Sequence, residues 1–299
     1  MEDHVPKPIT TQRWMIAPPR RIPSRPWSRK ARLLVRWVRF ALSSARAGWW
    51  DFSFRAVRAI TRLVGLAVTD LASADAVECN LCGWRGRRFY PNVGPGYDES
   101  ATTCPGCLAQ DRHRTLVAVL LTHTSALEAG ARVVEVAPMR SMEELFLGEV
   151  AVQYTSFDLE RHAMEHGDIM AMRFDDESVD YFICFHVLEH LLDEAAALSE
   201  IRRVLKPGGV AVIQVPIDTS LESTVEYGRP DPRDVGHVRR NGRDFASRVA
   251  ASGFEVTGVS VQEQVPPRVV LRHGLNVEPI FLCEKTQSGL GRDEKEPAG

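Results

Sequence analysis

Four cysteines carry the most recognisable chemistry in the sequence: Cys79-Asn-Leu-Cys82 and Cys104-Pro-Gly-Cys107, with 21 residues between the pairs. A tight turn inside C-x2-C points both thiolates the same way, and a second such pair completes a closed tetrahedral site for Zn2+. Gly83 and Pro105-Gly106 supply the turn chemistry. The competing reading is four unrelated thiols; a redox C-x-x-C would need a thioredoxin-like context that neither pair has. Four protein ligands leave no open coordination position, so the expected role is structural. Cys184 and Cys283 stand alone in apolar runs, and the whole pattern suits a reducing compartment better than a disulfide framework. Two carboxylates form the next candidate set. Arg132-Val-Val-Glu135-Val-Ala-Pro138 reads as a strand ending on an acid and a bend, and Asp158 follows Glu135 by 23 residues at the end of a second strand. In a doubly wound sheet, a carboxylate about 20 residues past the first strand-turn takes both hydroxyls of a ribose. A helix N-cap or an exposed strand end is the other reading of Asp158.

The elements that must hold these residues alternate between strand and helix after residue 110. Asp111–Leu127 reads as a helix, Val133–Val136 as a strand, Ser141–Leu147 as a helix and Val152–Phe157 as a strand. Tyr181–Phe185 is a continuous apolar strand. Glu194–Leu205 is an amphipathic helix stopped by Pro207-Gly208-Gly209, and Val210–Val215 is the next buried strand. A polar loop is expected from Asp218 to Arg240, a helix at Arg243–Ala251, and last strands at Phe254–Val261 and Pro279–Cys283, with an antiparallel pairing open. Such alternation builds a parallel sheet with helices on both faces.

Three runs then carry a resemblance. They are Gly167-Asp168-Ile169, the stretch Phe174-Asp-Asp-Glu-Ser-Val-Asp180 continuing to His186-Val-Leu-Glu189-His190, and Val204-Leu-Lys206-Pro-Gly-Gly209-Val-Ala-Val-Ile-Gln-Val-Pro216. In order and spacing they resemble the class I methyltransferases of the type 11 group, over about residues 110–262. The four-cysteine module followed by Arg112-His113-Arg114 is similar to a bacterial subgroup that fuses such a module to this domain. The fold implied is α/β: a Rossmann-like doubly wound, mostly parallel seven-stranded sheet, with a small zinc-ribbon-like module and N-terminal amphipathic helices. The cofactors implied are S-adenosylmethionine and a structural Zn2+. By the same resemblance, Glu135 would sit near the methionine moiety with Ala137 and Pro138. Asp158 would bind the ribose, Asp168 and Ile169 the adenine, and His186 would line the cofactor and acceptor side.

One stretch departs from the family pattern. Where its members carry a G-x-G-x-G turn, this chain has Ala137-Pro138-Met139-Arg140-Ser141. Glycine admits close backbone approach, whereas proline fixes φ and removes an N–H. The expectation is an alternative turn that still holds the cofactor. Methyl transfer needs an aligned nucleophile in a water-poor pocket, and a hydroxyl acceptor also gains from a general base. His186 and His237 are the candidates, while Glu189 and His190 read as structural residues at a helix start.

The 299 residues include 44% hydrophobic and 25% charged residues, an ordinary globular balance. The net charge of −2 hides an asymmetry: residues 1–76 hold 14 Lys and Arg against 5 Asp and Glu. Five of six Trp lie in the first 50 residues. Residues 1–30 read as a Pro/Arg-rich disordered tail and 31–76 as a basic amphipathic helical extension. The zinc-ribbon-like module spans 77–108, the methyltransferase domain 109–285 and a second disordered tail 286–299. Arg32, Arg36, Arg39 and Arg46 stripe one helix at 31–47, and Arg55, Arg58 and Arg62 another at 52–68. Arginine stripes beside Trp and Phe fit an anionic membrane surface; packing on the domain and nucleic-acid binding are the other readings. The acidic start and absence of a long uncharged run give no secretory leader or spanning helix. The expected location is cytoplasmic, peripheral at the inner membrane face.

The expected acceptor is a small molecule or a cell-envelope saccharide or lipid-linked precursor. One rival is an rRNA methyltransferase, against which Val215-Pro216-Ile217-Asp218 stands where an Asn/Asp-Pro-Pro-aromatic motif would be. The other is a non-catalytic RNA- or protein-binding protein with a degenerate cofactor pocket.

Overall fold

Period-two alternation decides which face of the sheet each residue enters. Along Val179–Phe185, Phe182 and Cys184 join one apolar cluster while Tyr181, Ile183 and Phe185 join the other. The computed structural model describes residues 76–94, 97–148, 152–159 and 163–286. The expected tail at 1–30, the two Arg-striped helices and the C-terminal tail beyond 286 lie outside the described residues.

The strands, in chain order, are β1 (Val77–Glu78), β2 (Arg85–Gly86), β3 (Tyr90–Gly94), β4 (Tyr97–Thr103), β5 (Arg132–Val136), β6 (Gln153–Asp158), β7 (Glu165–His166), β8 (Val179–Phe185), β9 (Leu205–Gln214), β10 (Val225–Asp231), β11 (His237–Arg240), β12 (Phe254–Val259) and β13 (Ile280–Lys285). The helices are α1 (Asp111–His123), α2 (Arg140–Gly148), α3 (Glu194–Val204), α4 (Phe245–Ala251), α5 (Val261–Gln264) and α6 (Pro267–His273).

Seven strands form the central sheet in the order β12-β13-β9-β8-β5-β6-β7. From β9 to β7 every pairing is parallel, and β13 runs antiparallel between β9 and β12. This is the Rossmann-like doubly wound sheet expected. The chain leaves β5 in one direction for β6 and β7, then crosses to β8 on the other side. That reversal creates the switch point where open α/β sheets collect ligands. One face packs on α3 and α4 through Leu198, Ile201, Phe245 and Val249; the other packs on α1 and α2 through Leu116, Leu120 and Phe146.

Much of the family-like run from 174 to 209 is scaffold. Asp193 caps α3 by accepting from Ala196 N at 2.9 Å, and Arg202 and Arg203 close its last turn. Arg203 binds Glu200 and the carbonyls of Met172 and Phe174, while Glu200 accepts from Met172 N at 2.9 Å. The loop leading out of Asp168-Ile169 is thereby tied to α3. Lys206 pairs with Asp180 at 2.6 Å. A Cβ on Gly209 would stand 2.9 Å from the Lys206 carbonyl, so only glycine fits there.

Two regions differ from the sequence expectation. The polar stretch 218–240 contains a hairpin, β10 against β11, rather than a plain loop. Its charged residues pair instead of solvating: Arg239, 3% exposed, donates to Glu226 Oε1 and to the carbonyls of Leu188 and Leu191. The stretch 262–273, left unassigned by sequence, carries most of α5 and α6, and α5 begins at Val261, where the strand was expected to end. Among the described residues no helix is long and apolar enough to cross a membrane.

Candidate functional site

The two C-x2-C segments fold as copies of one knuckle. In each, the first cysteine's N–H donates to the carbonyl five residues on: Cys79 to Trp84 and Cys104 to Ala109, both at 2.8 Å. In each, the N–H four residues on returns to the cysteine carbonyl, from Gly83 and Leu108, at positive φ of 69° and 68°. The turns bring Cys79 Sγ within 3.8 Å of Cys107 Sγ, and Cys82 Sγ within 3.7 Å of Cys104 Sγ. All four sulfurs lie within 4.8 Å of one another. A tetrahedron of sulfurs at about 2.3 Å from Zn2+ has edges near 3.8 Å, so the donor set fits that ion. A Cβ on Gly106 would stand 2.9 Å from Cys82 Sγ, which explains the glycine, and Gly106 N–H already donates to Cys104 Sγ at 3.3 Å. Burial raises the Cys79 thiol, yet the hydrogen bonds of Cys104, Cys107 and Cys82 bring it well below its ordinary value.

The module is fixed to the larger domain by Arg114. This fully buried guanidinium lies 3.7 Å over the Phe89 ring and donates to the carbonyls of Thr102, Ala109, His273 and Gly274. Sequence reading noted Arg114 only within a local motif. Its four carbonyl partners, spread from 102 to 274, could not be read from spacing.

The expected cofactor residues gather at the C-terminal edge of the sheet. Glu135, the next-to-last residue of β5, is 5% exposed and accepts a 2.6 Å hydrogen bond from Tyr154 O–H. Burial pushes its carboxyl up to about 8, so it holds its proton at neutral pH. Burial and the facing Glu135 also push the Tyr154 phenol upward. Ala137 follows with φ of 50°, the left-handed conformation that glycine ordinarily supplies. Its N–H donates to Phe157 O at 2.9 Å, which sets the turn beside the end of β6. Pro138 and Met139 then lead into α2, with Met142 N–H bonding back to Met139 O at 2.8 Å. The glycine-free segment thus makes a glycine-like turn with a side chain of one methyl group.

Asp158 ends β6, 7% exposed, and its carbonyl accepts from Gly167 N at 3.2 Å. The strand-end reading of Asp158 therefore holds for position but not for exposure. Asp168 Oδ1 accepts from Met170 N at 2.8 Å, making a local turn that buries Ile169 to 5% exposure. His186 follows β8 with φ of 54° and donates its N–H to Gln214 O at 2.9 Å. Buried side-chain atoms with no hydrogen-bond partner line this edge: His186 Nε2, both oxygens of Glu189, Ser141 Oγ and both amide atoms of Gln214. Orphans so grouped mark where a polar ligand would be received.

His237 does not stand alone. The 3-10 turn Leu188–His190, held by Arg239, sets the His190 ring 4.8 Å from the His237 ring. His237 Nδ1 lies 3.3 Å from Asp234, and burial lowers its pKa against the opposing pull of Glu189 and Asp234. Glu189 and His190 precede α3 in their own turn instead of starting the helix. The structure brings Glu189, His190 and His237 together. Sequence reading missed this grouping because 46 residues and an unexpected hairpin separate His190 from His237.

Residues 120–213 match the family model described as a methyltransferase domain. The chain is 33% identical over 115 residues to a probable S-adenosylmethionine-dependent methyltransferase of Mycolicibacterium smegmatis, covering 38% of this chain and 41% of that relative. It is 45% identical over 64 residues to a demethylmenaquinone methyltransferase of Staphylococcus epidermidis, covering 21% and 26%. A putative methyltransferase from Bacillus halodurans has a similar structure at 16% identity and a TM-score of 0.35, covering 55% of this chain and 96% of that one. The chain spans less than half the length of the curated relatives named here. Residues 120–213 thus match a methyltransferase-domain model, and parts of the chain are similar to two curated methyltransferases.

Proposed function

We propose that the chain is an S-adenosylmethionine-dependent methyltransferase whose acceptor is a small molecule or a cell-envelope saccharide or lipid-linked precursor, and that its cysteine module holds a structural zinc ion. The reading rests chiefly on one coincidence. The matched segment 120–213 supplies Glu135, Ala137, Asp158, Asp168, Ile169 and His186, and these share the sheet edge with the orphaned polar atoms. Bound there, S-adenosylmethionine supplies an electrophilic methyl group on a sulfonium. Asp158 accepts from the ribose hydroxyls, Ile169 packs against the adenine, and Glu135 with the Ala137-Pro138 turn faces the methionine end. An acceptor held beside that methyl group would be aligned by the residues at the ends of β8 and β11. His186, or His237 when no metal ion holds it, would take the acceptor proton. Cys79, Cys82, Cys104 and Cys107 ligate zinc, which holds the two knuckles together and does no chemistry.

The Arg-striped residues 31–68 bring this domain to an anionic membrane surface. Anionic liposomes retain the full chain and release a version starting at residue 77; equal retention of both would remove the membrane from the proposal. The acceptor class is tested by incubating the protein with methyl-labelled cofactor and a cell extract. Label in solvent-extractable or small-molecule fractions supports the reading, whereas label in rRNA alone overturns it.

A further inference from the structure

We infer a second metal site, distinct from the cysteine cluster, in which Glu189, His190 and His237 bind one divalent first-row transition ion. One donor atom from each lies within 4.8 Å of the others. Ligands about 2.1 Å from a metal stand roughly 3 to 3.5 Å apart, so binding draws the donors in by an ångström or so.

Three observations point to an ion and not to a structural cluster. First, Glu189 is 1% exposed, yet neither carboxylate oxygen receives a hydrogen bond of acceptable geometry. His186 Nδ1 stands 3.2 Å from Oε1, close enough to steady the carboxylate but outside such geometry. A buried carboxylate left so is costly unless a cation completes it.

Second, each imidazole has a fixed acceptor beside its Nδ1, by hydrogen bond for His190 and by ion-pair contact alone for His237. His190 Nδ1 lies 3.3 Å from the Gly236 carbonyl, which can only accept, so Nδ1 carries the hydrogen and Nε2 keeps its lone pair. His237 Nδ1 faces Asp234 Oδ1 at 3.3 Å, and Asp234 Oδ2 is fixed by Tyr227 O–H at 2.9 Å. A carboxylate or carbonyl behind each ring is the outer shell that metal-binding histidines ordinarily have.

Third, the hairpin and the turn are held together by Arg239. That buried guanidinium fixes the relative positions of elements 47 residues apart, so the three donors meet on rigid supports.

Two imidazoles and a carboxylate suit a zinc-, iron- or cobalt-like ion better than magnesium or calcium. Three protein ligands leave positions open, unlike the closed cysteine set. An oxygen atom of an acceptor would complete the coordination. Metal binding itself does not depend on the methyltransferase reading.

Cobalt(II) titrated into the full-length, zinc-loaded protein tests the site. The expected result is one further equivalent bound, with a visible d–d absorption lacking the sulfur charge-transfer band of cysteine ligation. His190→Ala, on an exposed side chain, and His237→Ala each weaken this binding at least tenfold while circular dichroism stays unchanged. Asp234→Asn, which alters only the orienting partner, weakens it by about 10- to 100-fold. Absence of the second equivalent overturns the inference. So does a second equivalent bound as tightly by both histidine variants.

Discussion

At the scale of single residues, the first-strand turn decides whether the sheet edge can take a cofactor. Ala137 occupies the left-handed region at φ of 50°, where a Cβ costs about 1 to 2 kcal/mol. Ala137→Gly therefore raises the free energy of unfolding by about 1 kcal/mol, measured by urea unfolding, and leaves cofactor affinity unchanged or better. Glu135 makes a second residue-scale prediction. Its folded carboxyl is raised to about 8 against an ordinary value of 4.5, so the native state holds one more proton than the unfolded chain between these values. That stabilisation is full below about pH 4.5 and is lost as pH rises through about 8. Melting temperature should fall across this window, and Glu135→Gln should flatten the fall; an equal slope in both proteins contradicts the assignment. The acid and its place at the strand end were legible from Arg132-Val-Val-Glu135. The alanine's conformation was not, because residue type alone does not reveal which turn tolerates strain.

At the scale of elements, hydrophobic period gave most of the sheet. Strands β5, β6, β8, β12 and β13 and helices α1 to α4 fall within a few residues of the sequence reading, whereas β9 starts at Leu205 and takes in the Pro207-Gly208-Gly209 expected as a helix stop. The hairpin at 225–240 was hidden since its inward residues are charged. Arg239 enters it in place of an apolar residue, pairing with buried Glu194 and exposed Glu226. The helix α6 was equally obscure: none of its residues is buried, and Gly274 ends it at φ of 52°. Removing Arg239 leaves the Leu188 and Leu191 carbonyls and buried Glu194 without that cation. Arg239→Ala is expected to cost about 3 kcal/mol, read from denaturant midpoints. A loss below about 0.5 kcal/mol would mean that the hairpin is held by something else.

For the whole molecule, the cysteine module and the sheet form one apolar cluster. Cys79, Leu81 and Phe89 pack in continuity with Leu116, Val133 and Ile183, and Arg114 reaches from α1 to both the module and the end of α6. Loss of zinc should therefore destabilise the domain and not merely loosen a flap. Stripping metal with a strong chelator is expected to lower the melting temperature by about 10 °C, at ~2–4 °C per kcal/mol for a domain of this size. Restoring zinc should reverse it; an unchanged melt of metal-free protein contradicts a structural role. The four cysteines and their grouping were legible from spacing, since C-x2-C is a local signal. The docking that makes them matter was not, because it depends on carbonyls far apart in sequence.

The central claim is that the sheet edge holds S-adenosylmethionine despite a turn without glycine. Calorimetric titration of the full-length protein with S-adenosylmethionine and its demethylated product tests it most directly. The account predicts saturable binding of both at one site per chain, weakened at least tenfold by Asp158→Ala. No heat of binding at millimolar ligand, with the protein folded, would contradict it.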